Sequence, residues 1–176
     1  MNHAAQVQRL NGFPQVLSAL VKVVGNAGDA RWRPPPPDED SWSINEIVHH
    51  LADEEEADFQ VRVEMTLTDP ASDWPPIDPV GWARERHYND GDVEEALARF
   101  SKLRQENVAW LRRLECPDWS STHTHPKFGS MKAGEIMAAW VAHDALHLRQ
   151  IARRLFQLAQ RDGSEFSVEY AGAWAG

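Results

Sequence analysis

Apolar residues recur at steps of three and four in four stretches of the chain, the spacing of one buried face of a helix. The first runs from Phe13 to about Val24, with Phe13, Val16, Leu17, Leu20, Val21 and Val24 on one side. Residues 1–11 read as a short helical lead-in, which Gly12 and Pro14 are expected to interrupt. The second stretch runs from Ile44 to about Leu67. Ser43 and Glu46 form a capping box at its start, and Trp42 and Ile47 a hydrophobic staple. The third opens at Asp92-Val93-Glu94-Glu95 and carries Val93, Ala96, Leu97, Phe100, Leu103, Trp110, Leu111 and Leu114 until Pro117 stops it. The fourth spans Glu135 to Gln160, with Ile136, Trp140, Ile151, Leu155 and Leu158, and Ser130 is the predicted cap.

The connections are less regular. Residues 31–40 contain the proline run 34–37 and read as a stiff extended connector. Residues 69–90 hold Pro70, Pro75, Pro76 and Pro79 with Trp74 and Trp82. A loop so long is expected to form a lid or pocket wall, with Trp82, His87 and Tyr88 as candidate lining. Residues 118–130 read as a loop carrying His123-Thr124-His125-Pro126. Four amphipathic segments in one chain predict an all-α four-helix bundle with long connecting loops, a single domain over residues 1–176.

Histidines break the apolar ladders at informative places. His143 and His147 fill the gap between Trp140 and Ile151, and residues four apart share one helix face. In the second segment His50 shares a face with Ile47, Ala57 and Val61. His49 falls beside Asn45, Asp53, Glu56 and Gln60 and is expected to be largely solvated. The inward set is therefore His50, His143 and His147. A lone His-x-x-x-His pair is more often ordinary core, but a third inward histidine on a facing helix points to a metal site. Three neutral imidazoles leave a site of net charge about +2 with a fourth position for water or a thiolate, and all-nitrogen ligation suits Zn, Ni, Fe or Cu. Imidazoles with ordinary pKa values would lose the metal as pH falls toward and below about 6.5. Glu54, one turn after His50, is a candidate general base or partner of that histidine, against the plain alternative of a solvated or capping carboxylate. His125 is a candidate catalytic group that its loop could bring to the open coordination side. Asp144 points about 100° from His143 and reads as an interhelical group.

Composition narrows the partners. Eighteen basic against 27 acidic residues give a net charge of −9, which opposes binding to nucleic acid or an anionic membrane. No apolar run approaches bilayer length and no signal peptide is visible, so a cytoplasmic protein is expected. Cys116 is the single cysteine, in a helix-ending context, and reads as an incidental thiol. Eight tryptophans suggest a core closed by large rings.

Trp42-Ser43 with Glu46 and His50-Leu51-Ala52-Asp53-Glu54, then His125-Pro126-x-Phe128-Gly129, then His143-Asp144-x-x-His147-Leu148-x-Gln150-Ile151, resembles the DinB family of four-helix-bundle metalloenzymes. The resemblance covers about Arg9 to Phe156. It implies an up-up-down-down bundle, a divalent metal ion held by His50, His143 and His147, and a homodimer. Similar proteins include S-transferases that use a low-molecular-weight thiol, mycothiol or bacillithiol, and a mycothiol-dependent maleylpyruvate isomerase. The implied function is a metal-dependent enzyme acting on a small molecule, as a hydrolase or a thiol-dependent transferase or isomerase. The alternative is a non-catalytic stress-related or binding protein with a structural metal.

Overall fold

Two apolar clusters, one above the other, fill the space between four long helices, and a layer of histidines and charged side chains separates them. The structure is a computed structural model and describes residues 1–35 and 41–174. The helices are α1 (His3–Val24), α2 (Ala27–Ala30), α3 (Ile44–Ala57), α4 (Phe59–Thr68), α5 (Pro79–Glu85), α6 (Val93–Arg113) and α7 (Ala133–Gly163). A two-stranded antiparallel hairpin, β1 (Thr122–His125) and β2 (Gly129–Lys132), joins α6 to α7.

Hydrogen bonds between helices set their directions. Asn45 bonds to Tyr88 and Gly91 just ahead of α6, Asp53 to Arg99 and Glu55 to Arg104, so α3 and α6 run parallel. Arg104 reaches the Leu10 carbonyl while Phe100 meets Phe13, so α1 is antiparallel to α6. Arg154 donates to the Trp42 carbonyl and Trp140 to Glu55, so α7 is antiparallel to α3. Along the chain the long helices therefore run up, down, down, up. Taken around the bundle from α7 through α1 and α6 to α3, the order is up, up, down, down.

The upper cluster includes Leu17, Val21, Ile44, Leu51, Phe100 and Ile151. The lower one includes Val7, Leu10, Val108, Leu111, Met137 and Trp140.

Several expectations are corrected. Gly12 and Pro14 do not interrupt α1, which continues through both. Val7 and Leu10 are buried in register with Phe13 and Leu17, and that buried face outweighs the one backbone bond a proline removes. The second segment is helical to Thr68 but breaks at Asp58, where φ is −120° and ψ −93°. Residues 69–90 are not structureless: they contain α5 and a 3₁₀ turn at Tyr88–Asp90. Residues 118–130 form most of the hairpin, so α7 is capped at Lys132, whose N–H donates to Glu135 Oε2 at 2.7 Å, and not by Ser130. In the proline connector, residues 36–40 lie outside the described residues. Among the described residues no helix is long and apolar enough to cross a membrane.

The capping box at α3 forms as expected. Ser43 Oγ accepts from Glu46 N at 3.1 Å, and Glu46 Oε2 accepts from Ser43 N at 2.9 Å. Ser43 Oγ also donates to Asn89 Oδ1 at 2.6 Å, which ties the crossing segment, residues 69–92 between α4 and α6, to the start of α3. Ser43→Ala should therefore lower unfolding free energy by about 1–2 kcal/mol, the upper part of the range for a lost N-cap. Urea denaturation measures this, and an unchanged midpoint would contradict it.

Candidate metal centre

The chemistry of the site begins with helix periodicity. His143 and His147 lie one turn apart on α7, below Ile151 and above Trp140, and His50 projects from α3 toward them. Their Nε2 atoms converge. His50 Nε2 is 3.4 Å from His143 Nε2 and 3.1 Å from His147 Nε2, and the two α7 nitrogens are 2.9 Å apart. These three form a group whose ligand atoms could hold one ion. An ion bound tetrahedrally at ordinary metal–imidazole lengths separates its nitrogens by about 3.3 Å, so the triangle has the right size.

Hydrogen-bond accounting supports the same fit. His147 Nδ1–H donates to Gln150 Oε1 at 2.7 Å, so its Nε2 carries a lone pair aimed at the centre. His50 Nδ1 faces Glu54 Oε1 at 3.8 Å, beyond hydrogen-bond length. Three ring nitrogens crowded face to face cannot all be satisfied by one another, because each neutral ring has a single N–H. A cation at their centre satisfies all three.

Burial keeps these rings neutral. It lowers the pKa of His50 to about 3, with the neighbouring His147 adding to the effect. It lowers His147 to about 4 against an opposing push from the Gln150 bond. His143 is lowered too, first by burial and then by His147, His50 and Arg104. This revises the pH expectation. Direct proton competition for the folded site begins near pH 4, not 6.5. The metal-free fold behaves differently. The folded values lie below the unfolded value of about 6.5, so their contribution to stability is complete above pH 6.5. It is lost progressively as pH falls through 6.5 toward 4 and 3, where only the unfolded chain takes up protons. Metal occupancy of folded protein, followed by equilibrium dialysis, should hold from pH 7.5 to about 5 and fall near 4, while the metal-free thermal midpoint should decline from pH 6.5 downward. Loss of occupancy centred at pH 6.5 would show ordinary imidazoles.

Aromatic rings wall the site. Trp42 packs on His50 at 4.7 Å between centroids, and Phe59 on His143 at 5.0 Å while it stacks on Trp140 at 6.0 Å. Phe59 reaches this position because it begins α4 just after the break at Asp58.

The other candidates separate clearly. Glu54 is buried on the Nδ1 side of His50, behind the ring as seen from the Nε2 cluster. Burial, then the hydrogen bond and charge of Asp58, push its carboxyl up to about 9. His125 lies on β1 and is not brought into the cluster. Its ring packs against Phe128 at 4.9 Å and Trp74 at 5.5 Å, and its Nδ1 accepts the N–H groups of Lys127 and Phe128. His49 is half-buried, not solvated as expected. It stacks on Tyr88 at 5.5 Å, and a Cβ at Gly91 would lie 2.4 Å from its Nε2, so the crossing segment covers it. Tyr88 belongs to this covering contact and donates to Asp53, so it does not line the histidine site. Trp82 lies under Arg86, and His87 is exposed.

Sequence reasoning missed a buried network beside the centre. Arg104 Nη1 and Nη2 donate to Asp144 at 2.7 and 2.8 Å, and Nη2 also to Glu55 Oε1 at 2.7 Å. Trp140 Nε1 donates to the same Glu55 oxygen at 2.7 Å. Asp144 is the interhelical group that its position predicted; burial raises its pKa to about 6, and Arg104 opposes the shift. Leu103 filled the apolar ladder of α6 at that height and hid Arg104, whose one signal was a position four residues after Phe100, on the stripe that the structure buries.

Comparison with known proteins agrees with this fold. The family model of the DinB superfamily matches residues 13–151. "Putative metal-dependent hydrolase OB0782" of Oceanobacillus iheyensis is 28% identical over 110 residues, 62% of this chain and 63% of that protein's length. "Putative metal-dependent hydrolase YfiT" of Bacillus subtilis is 24% identical over 154 residues, 85% of this chain and 83% of that protein. The solved structure of YfiT, described as a probable metal-dependent hydrolase with an unusual four-helix bundle topology, matches with a TM-score of 0.76 at 22% identity. The match covers 92% of this chain and 87% of that one, and shows a shared fold.

Proposed function

This chain belongs to the DinB superfamily, and from that premise we propose that it is a metal-dependent hydrolase of a small-molecule substrate, with the ion held by His50, His143 and His147. The observation that carries the reading is the convergence of three buried or half-buried Nε2 atoms within 3.4 Å of one another. The names borne by its relatives favour hydrolysis over thiol transfer. An all-imidazole set suits Zn, Ni or Fe and not Mg or Ca. When bound, a divalent ion with three neutral ligands supplies Lewis acidity and brings the pKa of a coordinated water toward 7.

The chain's own residues prepare that chemistry. Gln150 fixes the His147 tautomer, so the Nε2 lone pair is available without rearrangement. Trp42 and Phe59 hold the His50 and His143 rings and exclude water from their outer faces. Glu54 stands on the Nδ1 side of His50, 3.8 Å away, where it fills the space behind the ring without a hydrogen bond to it. Its protonated form leaves the centre's positive charge uncancelled.

The test is metal analysis of the purified protein, followed by a panel of small esters, amides and phosphoesters assayed with metal-loaded and chelator-treated samples. Turnover that requires the metal is the expected result. A cobalt-loaded sample that gains a sulfur-to-metal charge-transfer band with a small thiol, and turns over only with that thiol, would replace hydrolysis by thiol transfer. Protein that neither retains nor binds metal would overturn the reading.

A further inference from the structure

Neither ligand-bearing helix alone fixes the distance between His50 and the α7 pair; that distance depends on how α3 and α7 sit against each other. Arg104 of α6 bonds to both at the level of the site. It forks onto Asp144, the residue after His143, through two bonds of 2.7 and 2.8 Å, and reaches Glu55, five residues after His50, at 2.7 Å. Five helical residues advance about 7.5 Å, so both anchor points lie within about a turn and a half of a ligand.

Further contacts hold the clamp at both Nη atoms and at Glu55, while Arg104 Nε is buried without a hydrogen-bond partner. Asn107 donates to the other Glu55 oxygen at 3.0 Å, Trp140 to the shared one, and the Leu10 carbonyl accepts from Arg104 Nη1 at 3.2 Å. The guanidinium lies 4.8 Å from the Phe100 ring and 5.7 Å from that of Trp140. Arg104 is 1% exposed.

A buried ion cluster of this kind adds little net stability, because desolvation offsets most of the attraction, and apolar replacements of similar volume are often tolerated. What it does define is register: a planar fork bonded to two carboxylates allows one separation and one rotation of the helices that carry them. We infer that Arg104 is a positioning residue for the metal centre, holding α3 and α7 through Glu55 and Asp144 at the spacing that lets three Nε2 atoms meet. This rests on the metal reading proposed above.

The test measures metal affinity and the visible spectrum of the cobalt-substituted protein in full-length chains. The main variant is the triple Arg104→Met, Glu55→Gln, Asp144→Asn, which neutralises the cluster at similar volume and keeps the interior free of unpaired charge. It should stay helical by circular dichroism, bind zinc about 10–100-fold more weakly, the usual cost of losing a ligand-orienting partner, and show altered cobalt d–d bands. Arg104→Lys keeps the charge and loses the fork, so it should weaken binding in the same direction. Leu17→Ala serves as a control, because it opens the upper cluster on α1, which carries no ligand. It should lower the thermal midpoint yet leave zinc affinity within about twofold. A folded triple variant with wild-type affinity and spectrum would overturn the inference. So would full rescue by Lys, or a loss of affinity in Leu17→Ala equal to that of the triple. If the wild type binds neither zinc nor cobalt, the metal reading falls and this inference with it, a result distinct from a clamp that proves dispensable.

Discussion

His147→Ala is expected to weaken metal binding by at least about 100-fold, beyond the 10–100-fold that follows loss of a ligand-orienting partner, and to remove metal-dependent turnover. The reason is geometric. His147 Nε2 makes both short edges of the triangle, 2.9 Å to His143 and 3.1 Å to His50, and its own orientation is set by Gln150. Without it, His50 and His143 are left 3.4 Å apart with no third donor. His50→Ala and His143→Ala should act in the same direction. His49→Ala should retain full metal, because its ring is committed to Tyr88 and the Gly91 backbone on another face of α3. Calorimetric titration with zinc distinguishes these cases. A His147→Ala protein with wild-type stoichiometry and affinity would exclude the three-histidine centre, and metal loss in His49→Ala would misplace it.

The largest effect on stability is expected at Trp140. Its side chain is fully buried in the lower cluster, stacks on Phe59, and donates to Glu55 from beneath the charged layer. Trp140→Ala removes the packing and leaves a buried acceptor short of one donor, so it should cost about 3–5 kcal/mol. For a chain of this size that lowers the thermal midpoint by about 6–20 °C. Trp140→Phe keeps a ring against Phe59 and loses the N–H, so its cost should fall well below that of Ala. Urea unfolding with an unchanged m-value would read both as stability changes. A loss below about 1 kcal/mol in Trp140→Ala would mean that the cluster collapses around the gap.

The two kinds of prediction are linked by the layer they share. On α7 the order Trp140, His143, Asp144, His147, Ile151 passes from the lower apolar cluster through the polar layer to the upper one. On α6 the order Phe100, Arg104, Val108 crosses it in the other direction. Burial between the apolar clusters lowers the pKa values of the histidines and favours pairing of Arg104 with Glu55 and Asp144.

Much of this was legible in the chain itself. Capping signals placed the starts of α3 and α6, and three- and four-residue steps found the four long helical stretches, though not the true start of α1 or the break after α3. The same steps put His50, His143 and His147 on inward stripes, because a side chain's direction around a helix follows from its position in a local 3.6-residue repeat. Local periodicity says nothing about which neighbour an inward side chain meets, or at what height. That the three Nε2 atoms come together, that Arg104 joins Glu55 to Asp144, and that the crossing segment covers His49 are decided by contacts between residues far apart in sequence. Packing also overrode local signals. Pro14 stays inside α1 because the buried face continues through it, whereas the apolar pattern of α3 and α4 gives no warning of the break at Asp58 that brings Phe59 onto His143. Local periodicity thus set which side chains turn inward, and packing between helices set which of them meet, because helix register is a sum of nonlocal contacts that no single segment contains.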